Sequence, residues 1–211
     1  MNLFGNRGTR ESGSTGGLFD AAENADGRVT HRLTLDLSRA HGLAAMVASS
    51  RASKFIEIPD LIAGIYIYEW DRLSEYWPEE NRGQIESVLR EMCKISPQRW
   101  NYWIQFYDSQ KKGVMPASRW EKLKISRKPQ PAEISPRHSA ALRAIFEEAA
   151  RITPFRDKNG GHEVPILTTE CVLLAVVRTS ASDIAQKLRE TRVDVTQLEK
   201  AALDPRRSPL R

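Results

Sequence analysis

Apolar side chains recur at three- and four-residue spacing along most of the chain, a pattern that predicts a series of amphipathic helices. The most apolar stretch, residues 166–177, predicts a buried helix entered from a tight turn. Thr168 or Thr169 can cap its first free N–H groups, and Glu170 lies where the helix dipole favours a negative charge. Because residues 172–177 leave almost no polar face, we expect the other helices of the C-terminal half to cover this one.

Helix-start signals are distributed along the rest of the chain. A proline at a first helical position, or a Ser or Asp cap, marks five of them, at Pro59, Pro97, Ser135, Ser182 and Asp194. Further helices are predicted from residue 35 onward and over residues 84–93. Residues 154–163 are predicted to form a polar loop, and no segment shows a strand pattern. The predicted fold class is therefore all-α.

The two halves of the chain resemble each other in pattern. Residues 60–65 align with residues 171–176, and Leu43 aligns with Leu142 if the loop of the second copy is about twelve residues longer. Each copy is then a four-helix unit of about 60 residues, which has only a small core of its own. We therefore expect the two units to pack together as a pseudo-twofold bundle.

This pattern divides the chain into five segments. The Gly-, Ser-, Asn- and Asp-rich N-terminus, with little periodicity, predicts a disordered arm. The predicted segments are the arm (1–33), the first repeat (34–95), an aromatic helix with a basic linker (96–134), the second repeat (135–204) and a frayed tail (205–211).

The second half contains twelve residues that form a characteristic pattern: Ser135, Ala141, Leu142, Ile166, Thr168, Thr169, Glu170, Cys171, Ile184, Leu188, Val193 and Asp194. This pattern resembles a known family, the N-terminal domain of Clp chaperones (Clp N, or double Clp repeat, domain). The usual motif of that family is Thr-Glu-His-Leu-Leu-x-Ala-Leu; here Cys171 replaces the histidine, and residues 58–60 of the first repeat read Ile-Pro-Asp instead of Thr-Glu-His. The resemblance covers residues 135–203 well, residues 35–95 weakly and residues 96–134 not at all.

The resemblance implies a tandem repeat of two four-helix units that binds proteins and performs no chemistry. It implies a free-standing member of the family, because the Gly-x-x-x-x-Gly-Lys-Ser/Thr loop of the ATPase modules is absent from the sequence. The implied partners are an adaptor, a substrate, or a Clp ATPase or peptidase, and the implied role is in regulating proteolysis. In one branch of the family the Thr-Glu pair receives phosphorylated arginine, and only Thr169-Glu170 matches that pair here. The alternative is that Thr169 caps the helix and Glu170 complements its dipole.

Aromatic residues are concentrated in one part of the chain, since ten of the sixteen lie between Tyr66 and Tyr107. Trp100, Trp103 and Tyr107 align on one side of the helix that begins at Pro97. They either cover the core of the first repeat or remain exposed as anchors for a partner, because Trp and Tyr dominate interface energetics.

The net charge of +5 comes largely from residues 111–128 and the tail. A basic segment can contact phosphates, so the alternative function is a nucleic-acid-associated regulator. The candidate contacts for that function are Lys111, Lys112, Arg119, Lys122 and Lys124.

Catalytic and metal-binding signals are sparse. The four histidines are scattered, no Cys/His spacing predicts zinc, and no nucleophile has a recognisable setting, so we expect neither an enzyme nor a cofactor. Cys93 and Cys171 fall in apolar helical patterns and are expected to be reduced core residues. No run reaches the roughly 18 apolar residues of a membrane helix, and no secretory signal is recognisable, so we expect a cytoplasmic protein without a membrane partner.

Overall fold

The computed structural model describes residues 18–23, 29–111, 136–159, 162–179 and 183–207. Eight α-helices lie in this part of the chain: α1 (Leu35–Ser50), α2 (Ile58–Leu73), α3 (Arg82–Met92), α4 (Pro97–Lys111), α5 (Ala140–Ile152), α6 (Thr169–Arg178), α7 (Asp183–Glu190) and α8 (Val195–Leu203). The strands are β1 (Leu18–Glu23), β2 (Val29–Thr34), β3 (Phe55–Ile56), β4 (Arg137–His138), β5 (Arg156–Asn159) and β6 (His162–Leu167). Short 3-10 turns cover Glu79–Asn81 and Pro205–Arg207.

The mostly helical fold is confirmed, but the expectation of no strands was wrong. One sheet has the order β1-β2-β6-β5, and a second pairs β3 with β4. The predicted polar loop 154–163 contains β5 and the first two residues of β6, its antiparallel partner, and the predicted arm contains β1 and most of β2. These strands are short and several pair with remote segments, so local periodicity does not reveal them. Residues 1–17 and 24–28 of the predicted arm lie outside the described residues.

Helix α6 forms the centre of the second half, as predicted. Every residue from Thr169 to Val177 is buried, and α5, α7, α8 and α2 all contact the helix. Thr168 is its N-cap, because the Thr168 hydroxyl accepts a hydrogen bond from the Cys171 N–H at 3.3 Å. The helix begins at Thr169 because the apolar residues Ile166 and Leu167 before the cap belong to β6.

Helices α1 and α2 pack closely in the first half. A Cβ atom on Gly64 would lie 2.2 Å from the Ala40 carbonyl oxygen and 3.0 Å from the Ala44 nitrogen, so only glycine fits there. Helix α2 begins as predicted, with Pro59 in its first turn and the Asp60 carboxylate accepting from the Glu57 N–H at 2.8 Å. It is kinked at Glu69, where φ is −122° and ψ is 25°.

Two other predicted helix starts have different outcomes. Asp194 caps α8, since its carboxylate accepts from the Gln197 N–H at 2.8 Å. The predicted start at Ser135-Pro136 was wrong: Ser135 lies outside the described residues, and Ser139 caps α5 by accepting from the Leu142 N–H at 3.1 Å. Arg137–His138 are held extended by pairing with β3, which delays the helix.

The strands that precede the helices pair across the two halves. In the parallel pair β2–β6, Leu33 lies opposite Leu167, and in the parallel pair β3–β4, Ile56 lies opposite His138. Each of these four residues immediately precedes the N-cap of a helix, and the four caps are Thr34, Thr168, Glu57 and Ser139.

The positions of the caps also correct the predicted alignment of the halves. Thr34 caps α1 and Ser139 caps α5, the two helices that the alignment compares. Leu37 is the third residue after Thr34 and Leu142 is the third residue after Ser139, so Leu142 corresponds to Leu37 rather than to Leu43.

Candidate functional site

Thr169 and Glu170, the predicted binding pair, are both buried at the entrance of α6, each 1% exposed. The kinked end of α2 and the C-terminal 3-10 turn cover this entrance. We call the surrounding polar side chains the Glu170 network: Glu69, Arg72, Tyr76, Thr169, Glu170 and Arg207.

The Glu170 carboxylate is satisfied by side chains of this chain. Its Oε1 atom accepts from Arg72 Nε at 2.6 Å and from the Tyr76 hydroxyl at 3.2 Å. Arg207 Nη1 lies 3.7 Å from the same oxygen and donates to the Tyr76 hydroxyl at 2.8 Å. No local pattern in the sequence indicates that Arg72 and Arg207, both remote along the chain, would meet Glu170. The predicted frayed tail is thus anchored at Arg207, and residues 208–211 lie outside the described residues.

Thr169 does not cap α6, because its hydroxyl donates instead to Glu69 Oε1 at 2.7 Å. Burial raises the pKa of Glu69 to about 7, against the opposing influence of Thr169 and Arg72. Because this pKa lies near 7, part of the Glu69 population carries a proton at neutral pH. Glu69 and Glu170 both pair with Arg72. The entrance of α6 is therefore a buried polar network that joins the two halves, in which the Glu69 and Glu170 carboxylates already have partners within the chain.

The predicted aromatic anchors divide into buried and partly exposed residues. Trp100 is fully buried, and its ring centroid lies 5.5 Å from that of Tyr66; Trp103 is 6% exposed. Both therefore cover the core of the first half and present no anchor to a partner. Tyr107 is only partly buried, with its ring 6.2 Å from that of Tyr68 and its hydroxyl 3.9 Å from the sulfur of Met46.

The predicted phosphate contacts fall almost entirely outside the described part of the chain. Lys111 is the last residue of α4, and the structure does not describe its side chain. Lys112, Arg119, Lys122 and Lys124 lie outside the described residues.

Three histidines that are scattered in the sequence meet around Phe146. The ring centroids of His31, His41 and His138 lie 5.4, 6.3 and 5.2 Å from that of Phe146. Burial, together with repulsion from His138, lowers the pKa of His31 and of His41 to about 4. Within the described ranges, no three His, Cys, Asp or Glu side chains converge as metal ligands. No sequence signal could have found this cluster, because the rings come from β2, α1 and β4.

The two cysteines are buried free thiols, as predicted. Burial raises the pKa of both Cys93 and Cys171. The thiol form therefore dominates at neutral pH, which suits a core residue rather than a nucleophile.

No protein-family model matches the sequence, and no curated protein matches it either. Among the described residues, no helix has both the length and the apolar character needed to cross a membrane.

Proposed function

We propose that this protein is a non-catalytic, cytoplasmic protein-interaction module with the double-repeat organisation of a Clp N domain. Its partner in this proposal is an adaptor, a substrate, or a Clp ATPase or peptidase. The observation that supports the proposal most is the reciprocal strand pairing between the two halves. Two copies of one structural unit account for such reciprocal pairing, whereas amino-acid composition does not.

The pairing is symmetric in position. The strand that leads into the first helix of each half, β2 or β4, pairs in parallel with the strand that leads into the second helix of the other half, β6 or β3. The two pairs have equivalent registers. In each strand, the last paired residue directly precedes the N-cap of the following helix. Two copies of one strand–helix–strand–helix unit, related by a pseudo-twofold axis, produce this arrangement.

The last helices of the two units support the same interpretation. Helix α3 buries Ile85 and Leu89, and α8 buries Leu198 and Ala202, with the same four-residue spacing in each case. Each helix thus buries one apolar stripe. Among the described helices of the second half, none corresponds to α4. Helix α4 is therefore the part of the first half that departs from the family pattern.

The predicted partner-binding residues differ in what they offer a partner. Thr169 and Glu170 are buried and internally paired, and Trp100 and Trp103 are buried in the core. Tyr107 is the member of this set that keeps part of its ring exposed, beside Met46, which is 43% exposed. Within the proposal, Tyr107 is therefore the residue to test for a direct contact.

Co-purification tests the proposal. Tagged protein is expressed in its host, and bound proteins are identified after washing at moderate salt. We expect a Clp ATPase, a Clp peptidase or a shared adaptor to be enriched, and Tyr107→Ala to reduce the enrichment without changing the melting temperature. Asn101→Ala, at an exposed position of the same helix, is the matched control and is expected to leave the enrichment unchanged.

Reproducible recovery of only nucleic acid, or of proteins unrelated to proteolysis, would remove the Clp link. The nucleic-acid alternative has its own test, a mobility shift with random-sequence RNA or DNA. A salt-sensitive shift favours that alternative, because phosphate contacts release counterions. Absence of a shift at low salt ends it.

A further inference from the structure

Three of the four histidines meet around Phe146 at the place where the two halves pair through their strands. His31 directly precedes the paired residues of β2, and His138 is the last paired residue of β4. His41 lies on α1, the helix that follows β2. The histidine cluster (His31, His41 and His138) therefore lies beside or within both strand pairs that join the halves.

The contacts of the cluster require neutral rings. The Nε2 atoms of His41 and His138 lie 2.6 Å apart, so one nitrogen must accept the hydrogen bond that the other donates. His31 is 8% exposed, and its Nε2 atom is buried without a hydrogen-bond partner among the described residues. A proton on that nitrogen would bury an unpaired charge, which costs free energy.

The charges that act on the cluster add to this cost. Among the described residues, the pKa values of the three rings respond to the other rings and to Arg143 of α5, and all of these are positive when charged. Burial, followed by this repulsion, lowers the pKa of His31 and of His41 to about 4 and also lowers the pKa of His138. The packed rings are therefore neutral at pH 7, and they take up protons more easily once the cluster opens.

Other contacts between the halves do not weaken in acid. The Trp77 indole N–H donates to the Thr191 hydroxyl at 2.9 Å, and the Asp194 backbone N–H donates to the Tyr76 carbonyl at 2.8 Å. None of these four groups titrates between pH 7 and pH 5. Glu69, at the entrance of α6, has a folded-state pKa of about 7 and so gains a proton that stabilises the fold over the same range. Acid thus acts against the histidine cluster and spares these contacts.

We propose that the histidine cluster is an acid-sensitive switch, in which protonation breaks the His41–His138 contact and releases β4 from α1 and β3 while the halves stay joined at Thr191. Each ring that opens takes up one proton from solvent. Opening uncovers the side chains of Ile56 and Phe146, which are both 1% exposed in the closed form. This switch goes beyond the proposed module function and does not depend on a Clp partner.

Amide hydrogen exchange of the whole protein at pH 7 and pH 5, corrected for the intrinsic effect of pH on exchange, tests the switch. The Arg137 N–H donates to the Lys54 carbonyl at 3.0 Å. The Ser139 N–H donates to the Ile56 carbonyl at 3.1 Å, so both amides report on the β3–β4 pair. A ring whose pKa returns from about 4 to 6.5 on opening favours the open form by up to about twentyfold between pH 7 and pH 5. We therefore expect the protection of these two amides to fall at least about tenfold, and that of the Asp194 amide to change less than about threefold.

Histidine variants test whether the rings cause the opening. His41→Gln places a neutral amide near the position of Nε2 and cannot take up a proton, so the loss of protection is expected to be at least about threefold smaller than in the parent protein. His162→Gln, at an exposed ring on β6, is the matched control and is expected to respond like the parent. His138→Gln provides a second test if the urea midpoint shows that His41→Gln folds poorly at pH 7.

Equal loss of protection at Ser139 and Asp194, or no loss at either, would overturn the proposal. A response of the His41 and His138 variants equal to that of the parent would overturn it as well. Tryptophan emission distinguishes opening from unfolding, because Trp77 and Trp100 are buried away from the cluster. We expect the emission to be the same at pH 7 and pH 5, and a shift that accompanies the loss of protection would identify global unfolding instead of a switch. The Clp proposal fails separately, in the co-purification experiment.

Discussion

The Nε2 atoms of His41 and His138 lie 2.6 Å apart, a contact that joins α1 of the first half to β4 of the second. Only one of the two nitrogens carries a proton in such a hydrogen bond, so the contact requires at least one neutral ring. Protonating both rings would place two positive charges at this junction. Arg143 adds to that repulsion, since after burial it is the second cause that lowers the pKa of His138.

The first prediction concerns acid sensitivity of the histidine cluster. His31 and His41 have a folded-state pKa of about 4 against an ordinary value of 6.5. As pH falls below 6.5 the unfolded chain takes up protons that the folded protein does not, so these rings lower the free energy of unfolding by at most about 3 kcal/mol each by pH 4. We expect His41→Asn to show a smaller loss of stability between pH 7 and pH 5 than the parent protein in urea unfolding. His162→Asn, at an exposed ring on β6, is the control, and an equal pH response of His41→Asn and the parent would contradict the prediction.

The second prediction concerns Glu69, which acts in the opposite direction over the same range. Its folded-state pKa of about 7 lies above the ordinary 4.5, so the folded protein binds a proton that the unfolded chain does not. Lowering the pH from 8 to 5 therefore stabilises the fold through this group. Glu69→Gln imitates the protonated form and is expected to raise stability at pH 8 and to make acid destabilisation steeper. A pH profile parallel to that of the parent protein would show that Glu69 does not titrate in this range.

The third prediction concerns the pairing of Glu170 with Arg72. Arg72 is two-thirds buried, and in Glu170→Gln it keeps only one carboxylate partner in the network, that of Glu69 at 3.5 Å. We expect a loss of about 1–3 kcal/mol in the free energy of unfolding, less than for a fully buried pair because Arg72 is partly solvated. Glu148→Gln breaks the exposed pair with Arg151 and is expected to cost under about 1 kcal/mol. If Glu170→Gln lowers stability and leaves co-purification of the partner intact, the α6 entrance is structural; if it abolishes co-purification at full stability, Glu170 contacts the partner.

The fourth prediction concerns the close approach of α1 and α2. Gly64→Ala places a methyl group against the Ala40 carbonyl oxygen, so the helices must separate, at a cost of about 2–4 kcal/mol. Gly42→Ala is the matched control, because a Cβ at Gly42 meets nothing within 4 Å. There the gain in helix propensity is expected to stabilise the protein by about 0.5–1 kcal/mol. Thermal unfolding of the two variants checks both signs, and similar melting temperatures would contradict the close packing.

Much of the helical architecture can be predicted from the residues. The start of α2 at Pro59, the cap at Asp194 and the burial of residues 172–177 follow from local spacing and capping chemistry, which act over three or four residues. The sequence left two alternatives for Trp100, burial in the core or exposure as an anchor, and the structure shows burial. Periodicity assigns a ring to one face of a helix but does not determine what covers that face.

The contacts between remote segments were decided only when the chain folded. Leu33 pairs with Leu167, His41 meets His138 and Arg72 reaches Glu170, and these contacts join residues 97 to 134 positions apart. The predicted helix start at Ser135-Pro136 failed for the same reason, because pairing with β3 holds residues 137–138 extended. Local propensity fixes the faces of the helices, whereas the partners of a strand edge or a buried charge depend on which distant segment the packing brings beside it.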